Sequence, residues 1–232
     1  MNSSYSAILL DLDGTLVDSY PDAEQCWGEW ADSAGVGDRF DLARYYGQKR
    51  HDIVRDLLPH LSEEEIAAHA EHVRLAEREY TSRVVALTGA RRLLDALPPA
   101  RWGIVTSNDT EVAKARLTSA GLPLPGVLVS ADDVGHPKPH PEGFLLAAER
   151  LGIAPGTALA VDDSPIGLAA ARAAGMTTLA VRFRHDDAAL RDADAIADNV
   201  GDISVRCTDD KLVVEITGGH RGPTNSPQYS RR

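Results

Sequence analysis

The chain has 232 residues, of which 43% are hydrophobic and 25% are charged, and its formal net charge is -11. These values are typical of a globular protein with one sizeable core, or with a core and a small inserted domain. The acidic balance argues against a nucleic-acid-binding protein, which needs a basic surface for the phosphate backbone, so we expect no nucleic-acid partner.

The sequence predicts neither a membrane partner nor a targeting signal. The N-terminus lacks a basic region followed by an apolar stretch, and no apolar run approaches the length of a membrane span. Cys26 and Cys207 are too far apart in sequence for a metal-ligand or redox motif. We therefore expect a cytoplasmic protein that binds no membrane.

The first predicted element is a short apolar run from Ala7 to Leu10, followed by Asp11, Asp13 and Gly14. The run is too short for a buried helix, so we interpret it as a buried strand with the two acids at its C-terminal end. In open parallel sheets ligands bind beyond this end of the strands, and Gly14 allows the backbone to turn sharply there.

Asp11 and Asp13 would therefore share one crowded site. Two carboxylates so close disfavour each other's ionisation unless a cation lies between them or one of them is protonated. A divalent metal, with one carboxylate as the nucleophile and the other as the acid or base, would resolve this conflict. The alternative is a strand that simply ends in a polar turn.

Residues 19–84 carry helical patterns without a clear strand, and we predict that they form a small all-helical cap inserted after the first strand. A proline in the first turn predicts a helix from Pro21 to Ala34. The capping-box spacing of Ser62 and Glu65 predicts a longer helix that ends near Arg83.

Gly47, Lys49 and Arg50 lie between these two predicted helices. From the sequence alone the two cations are best interpreted as solvated charges at a helix end. If the cap faces the two aspartates, Lys49 and Arg50 would instead bind an anionic substrate, and they are our candidate substrate-binding residues in the cap.

Residues 85–200 alternate between strands and helices, and together with residues 1–18 they predict a Rossmann-like α/β core, with a parallel sheet and helices on both faces. Buried strands are predicted at Trp102–Val105, Val127–Val129, Thr157–Val161 and Met176–Val181. Helices are predicted at Gly89–Leu97, up to Ala120, at Pro141–Leu151 and at Ile166–Gly175.

Thr106, Ser107 and Asn108 follow the second buried strand and precede a helix. Hydroxyls and backbone amides at such a helix N-terminus make an anion site, so these three are candidate phosphate-binding residues. Simple capping of the helix by Ser107, Asn108 or Asp109 is the alternative, because the same side chains would serve it.

Lys138 stands between Pro137 and Pro139, which predict a stiff, extended segment. A lysine presented so rigidly suits a fixed positive charge that points at a phosphate. Asp162 and Asp163 follow the fourth buried strand, and a second strand that ends in acids predicts a metal site shared with the first.

The composition changes again after residue 200. Residues 201–217 alternate in polarity on both sides of a polar turn, which predicts a C-terminal β-hairpin. Residues 218–232 are rich in Gly, Pro, Ser, Asn and Arg, and we expect a disordered tail there.

Four motifs now share one arrangement, because each stands near the C-terminal end of a predicted strand. They are Asp11-Leu12-Asp13, Thr106, Lys138 and Asp162-Asp163. This set resembles the four motifs of the haloacid dehalogenase (HAD) superfamily of phosphohydrolases, and the resemblance extends to about Asp198. The segments around Lys138 and Asp163 are similar to the helical-cap branch, which includes β-phosphoglucomutase, phosphoglycolate phosphatase and the sugar-phosphate and glycerol-phosphate phosphatases.

The resemblance implies a role for each of the motif residues. Asp11 would attack phosphorus and form an aspartyl-phosphate. Asp13 would protonate the leaving oxygen and then activate the water that hydrolyses the intermediate. Thr106 and Lys138 would hold the phosphoryl oxygens.

The resemblance also implies Mg²⁺ as the cofactor, bound by Asp11, the backbone carbonyl of Asp13, Asp163 and Asp162. One feature departs from some relatives, which carry a further acid a few residues beyond the last pair. Gly167 occupies that neighbourhood here, so the adjacent pair Asp162 and Asp163 would supply the metal ligands.

The function expected from these residues is Mg²⁺-dependent hydrolysis of a small phosphorylated metabolite, a sugar or polyol phosphate, by a monomer or homodimer. The main alternative is a β-phosphoglucomutase-like mutase, because Arg50 follows a glycine at the spacing of that enzyme's cap arginine. Ala23 stands where the mutase carries a histidine, which argues against it.

Further hypotheses concern other substrates, another reaction, and a protein that is not an enzyme. Phosphoglycolate, a nucleoside monophosphate and a biosynthetic intermediate remain open as substrates. A dehalogenase is disfavoured because its branch lacks the second acid of the first motif, which is Asp13 here. A non-enzymatic HAD-like binding module is disfavoured because Asp11, Lys138 and Asp163 are also present.

Overall fold

The computed structural model describes residues 2–45, 48–208, 211–217 and 220–221. The strands are β1 (Asn2–Tyr5), β2 (Ala7–Leu10), β3 (Val17–Asp18), β4 (Val85–Ala86), β5 (Trp102–Val105), β6 (Val127–Val129), β7 (Ala158–Asp162), β8 (Thr177–Val181), β9 (Ala195–Ala197), β10 (Ile203–Cys207), β11 (Leu212–Ile216) and β12 (His220–Arg221). The helices are α1 (Tyr20–Ser33), α2 (Arg50–Leu57), α3 (Glu63–Glu79), α4 (Ala90–Ala96), α5 (Thr110–Ser119), α6 (Glu142–Arg150), α7 (Pro165–Ala173) and α8 (Asp187–Leu190). The predicted fold class is confirmed.

The main sheet has the strand order β12-β9-β8-β7-β2-β5-β6 and is parallel except for β12. The chain enters this sheet at the central strand β2, adds β5 and β6 on one side, and then crosses back to place β7, β8 and β9 on the other side. Ligands of open α/β sheets bind at the point where the strand order reverses in this way. The C-terminal end of β2, where Asp11 lies, is that point.

The central strand is apolar throughout because both faces of the sheet are covered. Ile8 and Leu10 belong to the cluster that contains Leu117 of α5, whereas Leu9 belongs to the cluster that contains Phe144 of α6. All three strand residues are buried. Helices on both faces thus explain why the strand shows a continuous apolar run rather than alternation.

The cap consists of α1, α2 and α3 around a small core of its own, which includes Trp27, Trp30 and Ile66. The antiparallel strands β3 and β4 pair with each other at the point where the chain enters and leaves the cap. The predicted capping box is present, since the Ser62 amide donates to Glu65 Oε2 at 2.8 Å. The domain boundaries after residues 18 and 84 stay a prediction.

The third cap helix ends at Glu79, earlier than its predicted end near Arg83. Arg83 instead donates its backbone amide and its Nε to the buried Asp22 carboxylate, at 2.7 and 2.8 Å. This ion pair connects the end of the cap to its first helix. The helix therefore ends early because Arg83 contacts Asp22, a tertiary partner that the helical periodicity of the sequence does not indicate.

The C-terminal hairpin is present as β10 and β11, and β1 adds to β11 as a third strand. Strand β1 was not predicted, because Asn2–Tyr5 has little apolar character. The prediction of a disordered tail at 218–232 is wrong at His220–Arg221, whose backbone pairs with β9, the outermost parallel strand of the main sheet. The remaining residues of that stretch lie outside the described ones. No described helix has the length and apolar character of a membrane span.

The two cysteines are expected to differ in reactivity. Cys26 is 3% exposed, and burial raises the pKa of its thiol to about 12, whereas Cys207 is exposed. The thiolate is the reactive form, so at about pH 8 Ellman's reagent should modify Cys207 rapidly and Cys26 only after unfolding. Rapid release of the chromophore by the Cys207→Ser variant would contradict this expectation.

Candidate active site

A cavity of about 310 Å³ lies between the core and the cap at the C-terminal ends of β2, β5 and β7. Seven of the predicted site residues line it from the core: Asp11, Asp13, Thr106, Ser107, Asn108, Lys138 and Asp163. Trp27, Arg50 and Glu77 line it from the cap. Asp162 is buried behind the cavity wall, and Lys49 lines a smaller adjoining pocket beside Thr106 and Lys138.

Lys138 is a buried cation held between two carboxylates. Its Nζ donates to Asp11 Oδ1 at 2.6 Å and to Asp162 Oδ2 at 2.8 Å. Burial alone would lower the pKa of Lys138, but the two carboxylates outweigh it and the net pKa lies above the ordinary value. Lys138 is thus a buried positive charge that lies directly beside Asp11.

The carboxylates of Asp11, Asp162 and Asp163 crowd together, with oxygen atoms within 4.8 Å of one another. Burial raises the pKa of Asp11 to about 8, with Lys138 acting in the opposite direction. Burial and the neighbouring carboxylates likewise raise the pKa of Asp163 well above its usual range. Like charges buried together are unfavourable unless a cation offsets them, and Mg²⁺ prefers oxygen ligands of this kind. The donor set therefore fits the ion.

Gly14 is required for this approach. Its φ is +83°, and a Cβ atom there would lie 2.3 Å from Asp163 Oδ2. A side chain would therefore push Asp163 away from Asp11, in addition to straining the backbone.

The two adjacent acids after β7 have different surroundings. Asp162 Oδ2 accepts from Lys138, while Asp162 Oδ1 accepts from the backbone amide and the hydroxyl of Ser164, at 2.9 and 2.7 Å. Both oxygens are thus engaged within the protein, whereas Asp163 faces the cavity. This geometry favours Asp163 over Asp162 as a metal ligand. Asp162 holds Lys138 and the start of α7 in place.

Asp13 has a separate set of partners. Its Oδ1 accepts from Ser19 Oγ and from Arg116 Nη1, the latter at 2.8 Å, and its Oδ2 accepts from Asn108 Nδ2. Asn108 was predicted to bind phosphate, but its side chain contacts Asp13 and Thr106. Ser19 and Arg116 were not predicted as site residues at all.

The helix after Thr106 is capped by Asp109, whose carboxylate accepts from the Val112 amide at 3.0 Å. Of the three candidate caps, Asp109 is therefore the one that the structure contains. Ser107 lines the cavity and does not cap the helix, so it remains a candidate for binding phosphate.

Arg50 is not a solvated charge, so that interpretation is wrong. Its Nε donates to Glu77 Oε2 at 2.5 Å, and its Nη1 lies 3.1 Å from Asp109 Oδ2. Glu77, which was not predicted from the sequence, also accepts from Trp27 Nε1 at 2.9 Å. The predicted cap cation therefore points into the cavity wall, but two carboxylates already neutralise it. Gly47 lies outside the described residues.

The family model of the haloacid dehalogenase-like hydrolases matches residues 5–175. The chain belongs to this family. Hexitol phosphatase A of Escherichia coli (strain K12) is 39% identical over 199 residues, which are 85% of this chain and 92% of that protein. Validoxylamine A 7'-phosphate phosphatase of Streptomyces hygroscopicus subsp. limoneus is 32% identical over 207 residues, 86% of this chain and 96% of that protein.

A crystal structure of β-phosphoglucomutase from Clostridium difficile has the same fold, with a TM-score of 0.74 and 22% identity over 85% of this chain and 92% of that one. The resemblance inferred from the four motifs is confirmed by the family match and the two relatives. So is the prediction that this HAD hydrolase is an enzyme of the phosphoric monoester hydrolase class.

Gly167 provides a test of the Asp162 position in this HAD hydrolase. A Cβ atom there would lie 1.9 Å from Asp162 Oδ2. Alanine is normally better than glycine at a helical position by about 0.5–1 kcal/mol. We expect Gly167→Ala to lower the free energy of unfolding by about 1–3 kcal/mol instead, because Asp162 must move off Lys138. Urea unfolding followed by circular dichroism measures this loss.

Gly28→Ala is the matched control, because Gly28 lies in α1 and nothing within 4 Å would meet its Cβ atom. This variant should gain stability from helix propensity. Equal stabilisation by the two substitutions would show that Asp162 is not held where the structure places it.

Proposed function

We propose that this HAD hydrolase is a Mg²⁺-dependent phosphatase of a sugar or polyol monophosphate, which acts through an aspartyl-phosphate on Asp11. The observation that carries the proposal is the division of partners between two carboxylates that line the same cavity. Asp11 lies against Lys138, while Asp13 is held by Asn108 and Arg116. Such different surroundings suit a nucleophile and an acid/base group.

The proposed reaction has two steps. In the first, an Asp11 oxygen attacks phosphorus and the bond to the sugar oxygen breaks, while protonated Asp13 gives its proton to that oxygen. In the second, Asp13 takes a proton from a water molecule that attacks the aspartyl-phosphate, which releases phosphate and restores Asp11. Lys138 offsets the negative charge that builds up beside Asp11.

The metal and the phosphate-binding residues complete the proposal. Asp11, the Asp13 carbonyl and Asp163 would hold Mg²⁺, which supplies positive charge against the repulsion between a carboxylate and a phosphate dianion. The hydroxyls of Thr106 and Ser107 would hold phosphoryl oxygens together with Lys138. These roles agree with the positions of the side chains around the cavity.

We propose an uncharged leaving group because of the charges in the cap. A second phosphate, as in a phosphomutase reaction, needs a cation to meet it, and Arg50 already pairs with Glu77 and Asp109. Phosphoglycolate is disfavoured for the same reason, because its leaving group carries a carboxylate. The cavity wall also contains Tyr45 and Gln48, whose donors pair with Asp56 and with the Arg44 carbonyl but whose side-chain oxygens can accept from sugar hydroxyls. The relationship to hexitol phosphatase A supports a hexitol phosphate in particular.

The deciding experiment is inorganic phosphate release, with and without Mg²⁺, from hexitol phosphates, hexose phosphates, glycerol phosphate, phosphoglycolate and nucleoside monophosphates. We expect Mg²⁺-dependent release, with kcat/KM for a hexitol or hexose phosphate at least about tenfold above that for phosphoglycolate, since an unpaired carboxylate is poorly accommodated beside Glu77. Isomerisation of β-glucose 1-phosphate is followed in parallel. Isomerisation without phosphate release would establish the mutase instead.

The nucleophile variant is the control for this assay. Asp11→Asn should reduce phosphate release by at least about 10³-fold, since an amide is a poor nucleophile. Its circular dichroism spectrum and cooperative unfolding should match those of the wild type. Near wild-type turnover by this variant would refute the aspartyl-phosphate mechanism.

The two acids after β7 should respond differently to Mg²⁺. We expect Asp163→Asn to raise the Mg²⁺ concentration for half-maximal activity by about 10–100-fold, because it removes a ligand oxygen's charge. Asp162→Asn should change that concentration only slightly and lower kcat at saturating Mg²⁺, because Lys138 loses a partner. Equal shifts in the Mg²⁺ requirement would mean that both carboxylates bind the ion.

A further inference from the structure

A continuous set of buried and half-buried charges connects the cap to Asp13. Its members are Arg50, Glu77, Asp109, Arg116 and Asp13, and their side chains are between 5% and 19% exposed. Arg116 stands at the centre, with Nη1 2.8 Å from Asp13 Oδ1 and Nη2 3.7 Å from Glu77 Oε1. One guanidinium thus faces the acid/base carboxylate on one side and a cap carboxylate on the other.

These contacts join two separate parts of the fold. Arg50 and Glu77 belong to helices α2 and α3 of the cap domain. Arg116 belongs to helix α5 of the core, and Asp109 is the N-cap residue of that helix. The pairs Arg50–Asp109 and Glu77–Arg116 therefore exist only while the cap lies on the core. Closure of the cap therefore gives Arg116, which contacts Asp13, an additional partner in Glu77.

The direction of the Arg116 guanidinium depends on few contacts. Its Nε has no hydrogen-bond partner among the described residues, so its two terminal nitrogens, which face Asp13, Asn108 and Glu77, set its orientation. Burial alone would lower the pKa of Arg116, but the carboxylates of Asp13 and Glu77 outweigh burial and raise it. Arg116 therefore stays charged, and loss of either carboxylate leaves a buried charge that must reorient.

We propose that Arg116 and Glu77 are positioning residues that couple the acid/base action of Asp13 to closure of the cap. The inference rests on the proposed phosphatase function, in which Asp13 protonates the leaving oxygen and activates water. With the cap closed, Glu77 fixes one side of Arg116, and Arg116 with Ser19 and Asn108 fixes Asp13. When the cap opens, Arg116 loses Glu77 and keeps only its contacts with Asp13 and Asn108, so its guanidinium is free to turn and Asp13 is held less precisely. Proton transfer is then most efficient around an enclosed substrate.

Leaving-group chemistry separates this role from a general loss of structure. A p-nitrophenolate leaves without a proton, so p-nitrophenyl phosphate needs Asp13 only in the second step, whereas a sugar phosphate needs it in both. Glu77→Gln and Arg116→Met should therefore lower kcat for the sugar phosphate by about 10–100-fold. With p-nitrophenyl phosphate they should release a rapid burst of one equivalent of p-nitrophenolate per enzyme, followed by slow turnover. Asp13→Asn should show the same pattern more strongly.

The control is Arg78→Gln. Like the Glu77–Arg116 pair, the Arg78–Glu111 pair joins α3 to α5, with nitrogen and oxygen 3.9 Å apart, but it lies at the surface and does not contact Asp13. It should behave like the wild type with both substrates. Arg116→Lys keeps the charge and should recover part of the kcat lost in Arg116→Met. Thermal unfolding of each variant shows whether it is folded. If Arg116→Met does not fold, the comparison is made with Glu77→Gln and Arg116→Lys alone.

Two results would overturn the inference. One is wild-type kcat on the sugar phosphate in folded Glu77→Gln and Arg116→Lys. The second is an equal loss of sugar-phosphate turnover and of the p-nitrophenolate burst, which indicates a structural role only. Failure of the proposed function is distinguishable, because the wild-type enzyme itself would then release no phosphate from either substrate.

Discussion

The contact of Lys138 with Asp11 and Asp162 is the interaction on which the cavity floor depends. Three buried carboxylates meet there, and one cation can offset only part of their charge, since it already donates to two of them. The loop that presents Lys138 must therefore be held rigidly, which the flanking prolines achieve. Gly14 serves the same end, because its lack of a side chain lets Asp163 approach the group. Both features are consequences of concentrating charge at the end of the central strand.

The features that could be predicted from the sequence are those encoded locally. Asp11 directly follows β2 and Asp162 ends β7, both strands whose apolar residues mark them as buried, and adjacent parallel strands bring such ends together without further information. Strands β3, β4, β9, β1 and β12 were not predicted; of these, β1 pairs with the distant β11, and β12 pairs with β9 without any apolar pattern of its own. Backbone pairing of an edge strand requires little of the side-chain pattern, so sequence periodicity does not reveal it.

The residues missed in the site were Ser19, Glu77 and Arg116, and two of them did leave a signal. Glu77 continues the spacing of Ile66, Ala70 and Val73, which are the buried residues of α3. Arg116 follows Val112 by one helical turn and precedes Leu117 on the buried face of α5. A charge on the buried face of a helix requires a partner. The identity of that partner depends on how the cap lies on the core, which helical periodicity does not contain.

Ion pairs join the cap to the core beside the cavity, and their low net stability affects how readily the cap can open. Bringing charges such as Arg50 and Glu77 out of water is costly, so a buried pair adds little net stability compared with an apolar contact of the same size. An interface built largely from apolar side chains would hold the cap closed and slow the release of product. Pairs that are specific in geometry and weak in net energy instead define one closed arrangement while leaving opening accessible. Under the proposed coupling, the charges that align Arg116 with Asp13 would therefore also let the cap open.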